Sequence, residues 1–335
     1  MRLKRRAVTL LLVLSSLLVT SLAAEAVLRF VLSRSFNPFQ PDGELGFRLK
    51  PDFDGFYPWV RVRTDEAGHR VPRETRVPST GRILFVGDSV TFGFGVRSEE
   101  SFPFRFGEHI GRPQDVVNAA VPGYNLEQVL GILREELRRS SPEAVFYGLC
   151  LNDIGSATRR VEYEDIDPHR KRMREGAFLS SSMLVAFLQR RLQRLGARFD
   201  GSQGGPVSQV SFLRDLDGPE MAQSLATFDL QWAELEQIHR QTGIPVTVLV
   251  LPFREQVEGH PEWRAPQEFL ADKCASSPIV CLDPSSMLLE HRQQTLYNGV
   301  SSLHFNPLGH RLLAEWLADL AHTHTRGALR PRSAP

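Results

Sequence analysis

The sequence predicts an α/β protein built on a parallel five-stranded sheet, and three observations carry that expectation. Residues 83–86 and 144–151 are apolar runs with the length and composition of strands buried on both faces. Each closes on polar residues, Gly87, Asp88 and Ser89 after the first and Asn152 and Asp153 after the second. From residue 82 onward such runs alternate with helical periodicity, the order that gives a parallel sheet covered by helices.

The chain has 335 residues, 41% of them hydrophobic, enough for one large core or two modest ones. Lys and Arg total 40 against 39 for Asp and Glu, so no global field favours a nucleic-acid partner. The first residues are different. Arg2, Lys4, Arg5 and Arg6 precede an uncharged run over 7–24 rich in Leu and Val. As a helix, eighteen residues reach about 27 Å, close to the hydrocarbon thickness of a bilayer. The expectation for 1–35 is therefore a transmembrane signal anchor with its basic end cytoplasmic. Glu25 stands four residues before Arg29, so the two can pair at the outer interface. Cleavage at the small-residue pattern Ala24, Glu25, Ala26 is the other reading, and both export the rest of the chain to the periplasmic or extracellular side. In an oxidising compartment Cys274 and Cys281 are candidates for a disulfide, whereas Cys150, inside an apolar run, reads as a buried free thiol. Cysteine spacing suggests no metal site, and no cofactor is indicated.

Residues 36–81 form an N-terminal apron rich in Pro, Gly and aromatic residues. Val60, Val62 and Thr64 alternate with Arg61 and Arg63 as in an edge strand, and Phe47, Phe53, Phe56, Tyr57 and Trp59 are more apolar than a tether needs. The main domain occupies 82–322. After the opening strand come a helix over 102–110 and a strand over 115–118, followed by Gly123. Asn125 can cap the next helix with Gln128 reaching back, and Leu126, Val129, Leu130, Leu133 and Leu137 share one face. Past the 144–151 strand, residues 155–211 break the pattern with a charged stretch, an apolar patch over 183–195 and a loop over 201–208. They read as an insertion that covers the site, lies on a membrane surface or is a solvated excursion. Regularity returns with a helix over 220–241, a strand over 246–251, a helix over 266–273 and a strand over 279–282 ending at Asp283. The last helix has Asn306 as cap and Pro307 at its first turn, with His304 just before it. His310 reads as a surface position on that helix, and 323–335 as a disordered tail.

Ser89, Gly123, Asn152 and His304 all fall at strand ends or just before a helix. Acyl transfer needs a nucleophile, a base and oxyanion donors. Ser89, His304, and the N–H groups of Ser89 and Gly123 with the amide of Asn152 can supply them. A histidine just before a helix N-terminus is disfavoured as a cation, which leaves a neutral base.

These residues resemble those of the SGNH, or GDSL, hydrolases. Gly87, Asp88 and Ser89 match the serine block of that family, Gly123 its glycine block, Asn152 and Asp153 its asparagine block, and His304 with Phe305, Asn306 and Pro307 its histidine block. The resemblance covers about residues 82–321. It implies a three-layer flavodoxin-like fold and an esterase, lipase or acyltransferase acting through a Ser89 acyl-enzyme, and export makes a small-molecule ester or acyl and acetyl groups on envelope polysaccharide the expected substrate. One position departs from the pattern: the family usually has an aspartate three residues before its histidine, and here that position is Ser301. Three explanations stand side by side. His304 works as a dyad partner, another carboxylate such as Asp283 substitutes, or the fold is retained as a binding or assembly module for envelope carbohydrate.

Overall fold

A computed structural model describes residues 2–35, 37–57, 59–72, 83–166, 211–299 and 301–324. The apolar patch and loop expected within the insertion, Arg82 and the end of the tail lie outside them. The elements in chain order are α1 (Arg2–Ser35), β1 (Phe39–Asp42), β2 (Gly46–Leu49), β3 (Asp54–Phe56), β4 (Arg61–Thr64), β5 (Arg70–Val71), β6 (Ile83–Gly87), α2 (Ser89–Phe92), α3 (Phe102–His109), β7 (Val116–Asn118) and α4 (Leu126–Arg139). There follow β8 (Ala144–Cys150), α5 (Asn152–Gly155), α6 (Tyr163–Ile166), α7 (Pro219–Thr242), β9 (Val246–Leu251), α8 (Ala265–Ala275), β10 (Val280–Leu282), α9 (Ser285–Glu290) and α10 (Pro307–His324). Residues 1–37 with 164–204 make one compact unit, and 38–163 with 205–335 another that holds every strand among the described residues.

The first unit corrects one expectation. Helix α1 is 34 residues long, yet among the described residues no helix is long and apolar enough to cross a membrane.

The main sheet is eight-stranded, in the order β10-β9-β8-β6-β7-β5-β4-β3. Its five strands from β6 to β10 pair in parallel, as the apolar runs predict. Numbered among themselves they follow the doubly wound order 2-1-3-4-5, whose crevice lies where the order reverses, beside β6. The other three come from the apron, where the sequence predicts only the strand over 60–64. β5 pairs antiparallel with β7, β4 with β5, and β3 with β4, so the apron extends the sheet instead of lying against it. The strand expected at an edge, β4, is flanked on both sides, and charged Asp54 of β3 stands outermost with Arg61 bonded to it.

Burial explains the order of the strands. Every residue of β6 and β8 is buried, as a strand covered by helices on both faces requires. Helix α3 packs with α10, and α4 packs with α7. The caps form as expected: Asn125 and Gln128 make a reciprocal capping box on α4, and Asn306 Oδ1 accepts from the N–H groups of Leu308 and Gly309 at the start of α10. Cys274 and Cys281 are joined by a disulfide, and Cys150 is buried and free. His310 is another correction: it is buried, stacks on Phe102, and accepts from the Phe102 N–H through Nδ1 at 3.2 Å. Its acceptor role explains why a polar residue faces inward there.

The apron is fastened to the helical layer by a buried imidazole. His69 lies between two carboxylates, with Nδ1 3.2 Å from Asp65 Oδ2 and Nε2 3.0 Å from Glu136 Oε1 on α4. Burial alone would lower its pKa. The two carboxylates outweigh burial and hold it at about 9. A folded-state value above the free value of 6.5 stabilises the fold fully below pH 6.5, and the stabilisation is lost as pH rises through about 9. Thermal unfolding followed from pH 7 to 10 is expected to show that loss in the wild type and not in His69→Gln. The variant should be less stable by about 2–3 kcal/mol at pH 7, because Asp65 would lose the imidazolium and Glu136 would keep only Arg139.

Candidate active site

The site begins with the turn out of β6. Gly87 has φ +148°, and a Cβ there would lie 2.7 Å from Gly148 O of the neighbouring strand and 2.6 Å from Thr91 Oγ1. Only glycine fits that conformation and that approach. Asp88 then caps α2, its Oδ1 accepting from Val90 N–H at 2.9 Å, and Ser89 becomes the first residue of the helix. Two contacts hold α2 and the loop behind it. Asn118 at the end of β7 donates through Nδ2 to Thr91 O at 3.1 Å. The buried guanidinium of Arg70, from β5, donates to the carbonyls of Phe92, Gly93 and Val96 and to Ser98 Oγ.

His304 reaches the same place from the other end of the chain. Its Nε2 lies 2.8 Å from Ser89 Oγ across 215 residues of sequence. The loop that carries it is pinned at several points. Arg254 N–H donates to Ser302 O at 2.8 Å, Ser302 Oγ donates to Glu255 Oε1 at 2.6 Å, and Asn298 N–H donates to His304 O at 2.8 Å. Phe94 stacks on the imidazole with ring centres 4.4 Å apart.

Gly123, with φ +94°, lies in the turn that follows β7, and Asn152 opens α5 directly after β8. Because β6 is paired to β7 on one side and to β8 on the other, both stand with Ser89 at the carboxyl edge of three adjacent strands. That edge is where open α/β sheets place their ligands.

Among the described residues no carboxylate restores a triad. His304 Nδ1 is buried and has no hydrogen-bond partner among the described residues. Ser301 Oγ instead accepts from Leu303 N–H at 3.1 Å. Asp283, the substitute considered above, is engaged with Arg264 at 2.7 Å and with the N–H of Ser285. Burial lowers the His304 pKa to about 4, so the ring is neutral at physiological pH. Desolvation is what makes it so.

The sequence pointed to Ser89 and His304 but not to the groups beneath them. Asp88 and Asp153 are both buried, and burial raises the pKa of each. Tyr147 O–H donates to Asp153 Oδ2 at 2.6 Å, while Asp153 Oδ1 has no partner among the described residues. An acid directly before a helix-opening serine is a capping signal, which could have assigned Asp88 a structural part. No signal of that kind marks Phe94 or Arg70, whose contacts are long-range.

The model of the GDSL-like lipase/acylhydrolase family matches residues 85–312 of this chain. The chain belongs to that family. No curated protein matches it in sequence. Among solved structures the chain is similar to a lipolytic protein of the G-D-S-L family from Desulfitobacterium hafniense, with 13% identity, a TM-score of 0.42, and coverage of 72% of this chain and 99% of that one. It is similar as well to the acetyl xylan esterase AlAXEase, with 12% identity, a TM-score of 0.44 and coverage of 71% and 98%. A third is the acetylxylan esterase Axe2 from Geobacillus stearothermophilus, with 15% identity, a TM-score of 0.40 and coverage of 78% and 100%.

With His304 holding a pKa of about 4, the acidic limb of kcat/KM is expected near pH 4, well below the 6.5 of a free imidazole. Asp88→Asn keeps the helix cap and removes a second group that titrates in the site. A limb that stays near pH 4 in this variant belongs to His304, and one that moves to about 6.5 contradicts the buried neutral base.

Proposed function

We infer that this GDSL-like hydrolase is an exported serine esterase or acyltransferase, acting on acyl or acetyl esters through a Ser89 acyl-enzyme. The observation that carries the reading is the 2.8 Å contact between His304 Nε2 and Ser89 Oγ. In acylation Nε2 takes the hydroxyl proton as Oγ attacks the ester carbonyl, and the resulting imidazolium returns the proton to the leaving alcohol. The N–H groups of Ser89 and Gly123 and the amide of Asn152 are assigned to the oxyanion. Water, or the hydroxyl of an acceptor, then attacks the acyl carbonyl with His304 again as base.

The unpartnered Nδ1 sets the strength of this machine. To accept a proton at Nε2, the neutral ring must carry its own proton on Nδ1, where no acceptor awaits it among the described residues. A usual triad acid holds that tautomer and stabilises the imidazolium. Here burial opposes the cation by about 3 kcal/mol, taking the pKa from 6.5 to about 4. The same bare nitrogen favours a second reading, a family member that binds or helps assemble an acylated envelope polymer and turns it over slowly or not at all. Export is supported by the basic and apolar order of residues 2–24, read as membrane targeting, and by the Cys274–Cys281 bridge.

The full-length protein is expected to hydrolyse p-nitrophenyl acetate and to be labelled by a fluorophosphonate, both abolished in Ser89→Ala. Absence of labelling in the wild type sinks the enzyme reading in favour of the binder. Ser301→Asp is expected to raise kcat by about tenfold or more, a fraction of the roughly 10⁴ that disabling a triad acid can cost. An unchanged kcat would show that the orientation of His304 does not limit the rate.

A further inference from the structure

Directly after β9 the chain makes a single π-helical turn, Glu255–Gly259, closed by the bond from His260 N–H to Glu255 O. Such turns are rare and frequently stand at functional sites. This one is fixed from inside by Gln256, which is buried. Its Oε1 accepts from Phe253 N–H at 3.0 Å, and its Nε2 donates to Trp263 O and, at 2.8 Å, to Gln267 Oε1. His260 and Trp263 stack face to face with ring centres 3.8 Å apart, which closes the far end.

The turn grips one residue of the His304 loop twice. Arg254 N–H donates to Ser302 O at 2.8 Å, and Glu255 Oε1 accepts from Ser302 Oγ at 2.6 Å across 47 residues of sequence. Ser302 lies two residues before His304 and next to position 301, where serine stands in place of the family's acid. The Ser301 hydroxyl is itself occupied by the N–H of Leu303. The carboxyl of Glu255 is placed against the usual rule for buried polar groups. One oxygen holds Ser302, and the other, Oε2, is buried with no partner among the described residues. An unbonded buried oxygen opposes folding, so a side chain kept there for one bond to the loop of the base calls for a reason beyond stability.

We propose that Glu255 is the positioning residue for His304: through Ser302 it sets the placement of the imidazole against Ser89 Oγ, which is the orienting half of what an acid at 301 would do. The other half, stabilising the imidazolium, it leaves undone, in keeping with a ring whose basicity is set by burial. The proposal rests on the acyl-transfer reading of Ser89 and His304 and adds to it the residue that aims the base.

The test assays wild type, Glu255→Ala, Glu255→Gln, Ser302→Ala and the double variant Glu255→Ala with Ser302→Ala, all at full length, on p-nitrophenyl acetate. Misplacing a reacting group by about 1 Å can cost about 10²-fold. Accordingly kcat is expected to fall about 10- to 100-fold in Glu255→Ala and in Ser302→Ala at nearly constant KM, with the double variant no slower than either. Glu255→Gln keeps an acceptor for the hydroxyl and should recover most of the rate, with the acidic limb of the pH profile unmoved. An unchanged kcat in Glu255→Ala overturns the proposal, as does a double variant in which the two losses multiply. A limb that moves in Glu255→Gln overturns it as well, because the carboxyl would then act by its charge. Should Glu255→Ala not fold, Ser302→Ala against Ser302→Thr, which restores the hydroxyl, carries the same comparison. The ring ¹⁵N shifts of His304, assigned by their loss in His304→Asn, read the placement without turnover. They are expected to move alike in Glu255→Ala and Ser302→Ala and to stay in Glu255→Gln. Shifts of that pattern in a protein that no fluorophosphonate labels keep the positioning and remove the esterase; labelling with shifts and kcat indifferent to Glu255 does the reverse.

Discussion

Gly87 leaves β6 at a backbone angle that other residues resist, with Gly148 and Thr91 too close to admit a side chain. The rest of the site depends on that departure. It turns the chain so that Asp88 caps the next helix and Ser89 opens it, facing the crevice where the strand order reverses. Everything that supports α2 then comes from elsewhere in the chain: Asn118 from β7, Arg70 from the apron, and His304 from the loop before α10. Arg70 is the costliest of these to bury. Its cost is offset by three backbone carbonyls and a hydroxyl, which together fix the loop on which Phe94 and Gly95 lie.

Burial governs the chemistry in the same way. The imidazole of His304 is neutral because it is desolvated, and beneath Ser89 two carboxyls are pushed toward their protonated forms for the same reason. The site gains an unprotonated base over a wide pH range and loses ready access to the charged intermediate that the base must become. A conventional acid at position 301 would reconcile the two, and Ser301 does not. Contrast His69, whose two carboxylates keep it cationic although it too is buried. Two buried histidines in one domain thus sit on opposite sides of neutrality because one has counter-charges and the other a phenyl ring.

Much of this was legible in the residues. Five parallel strands followed from apolar runs closed by polar ends, and the caps at Asn125 and Asn306 from local chemistry that needs no tertiary context. Ser89 and His304 were found as separate signals, and their meeting had to come from the fold. The unread parts are the non-local ones. Nothing in Arg70 or Asn118 alone says that they pair across a sheet, so the alternation over 60–64 shows an edge strand without the two strands that flank it. His310 read as surface because a histidine in an amphipathic helix usually is, and only the Phe102 N–H explains its place inside. The apolar N-terminal run reads as a span from its composition, whereas among the described residues no helix is long and apolar enough to cross a membrane.

The addition of β5, β4 and β3 to the sheet bears on where this domain starts. The family match begins at residue 85, inside β6, and a fragment cut there would keep the strand order of the family yet lose the strand that covers β7. The uncovered side of β7 would then offer unpaired N–H and C=O groups to any other chain. In this protein β5, β4 and β3 lie over that side, and the sheet ends at β3, where Asp54 is ion-paired to Arg61.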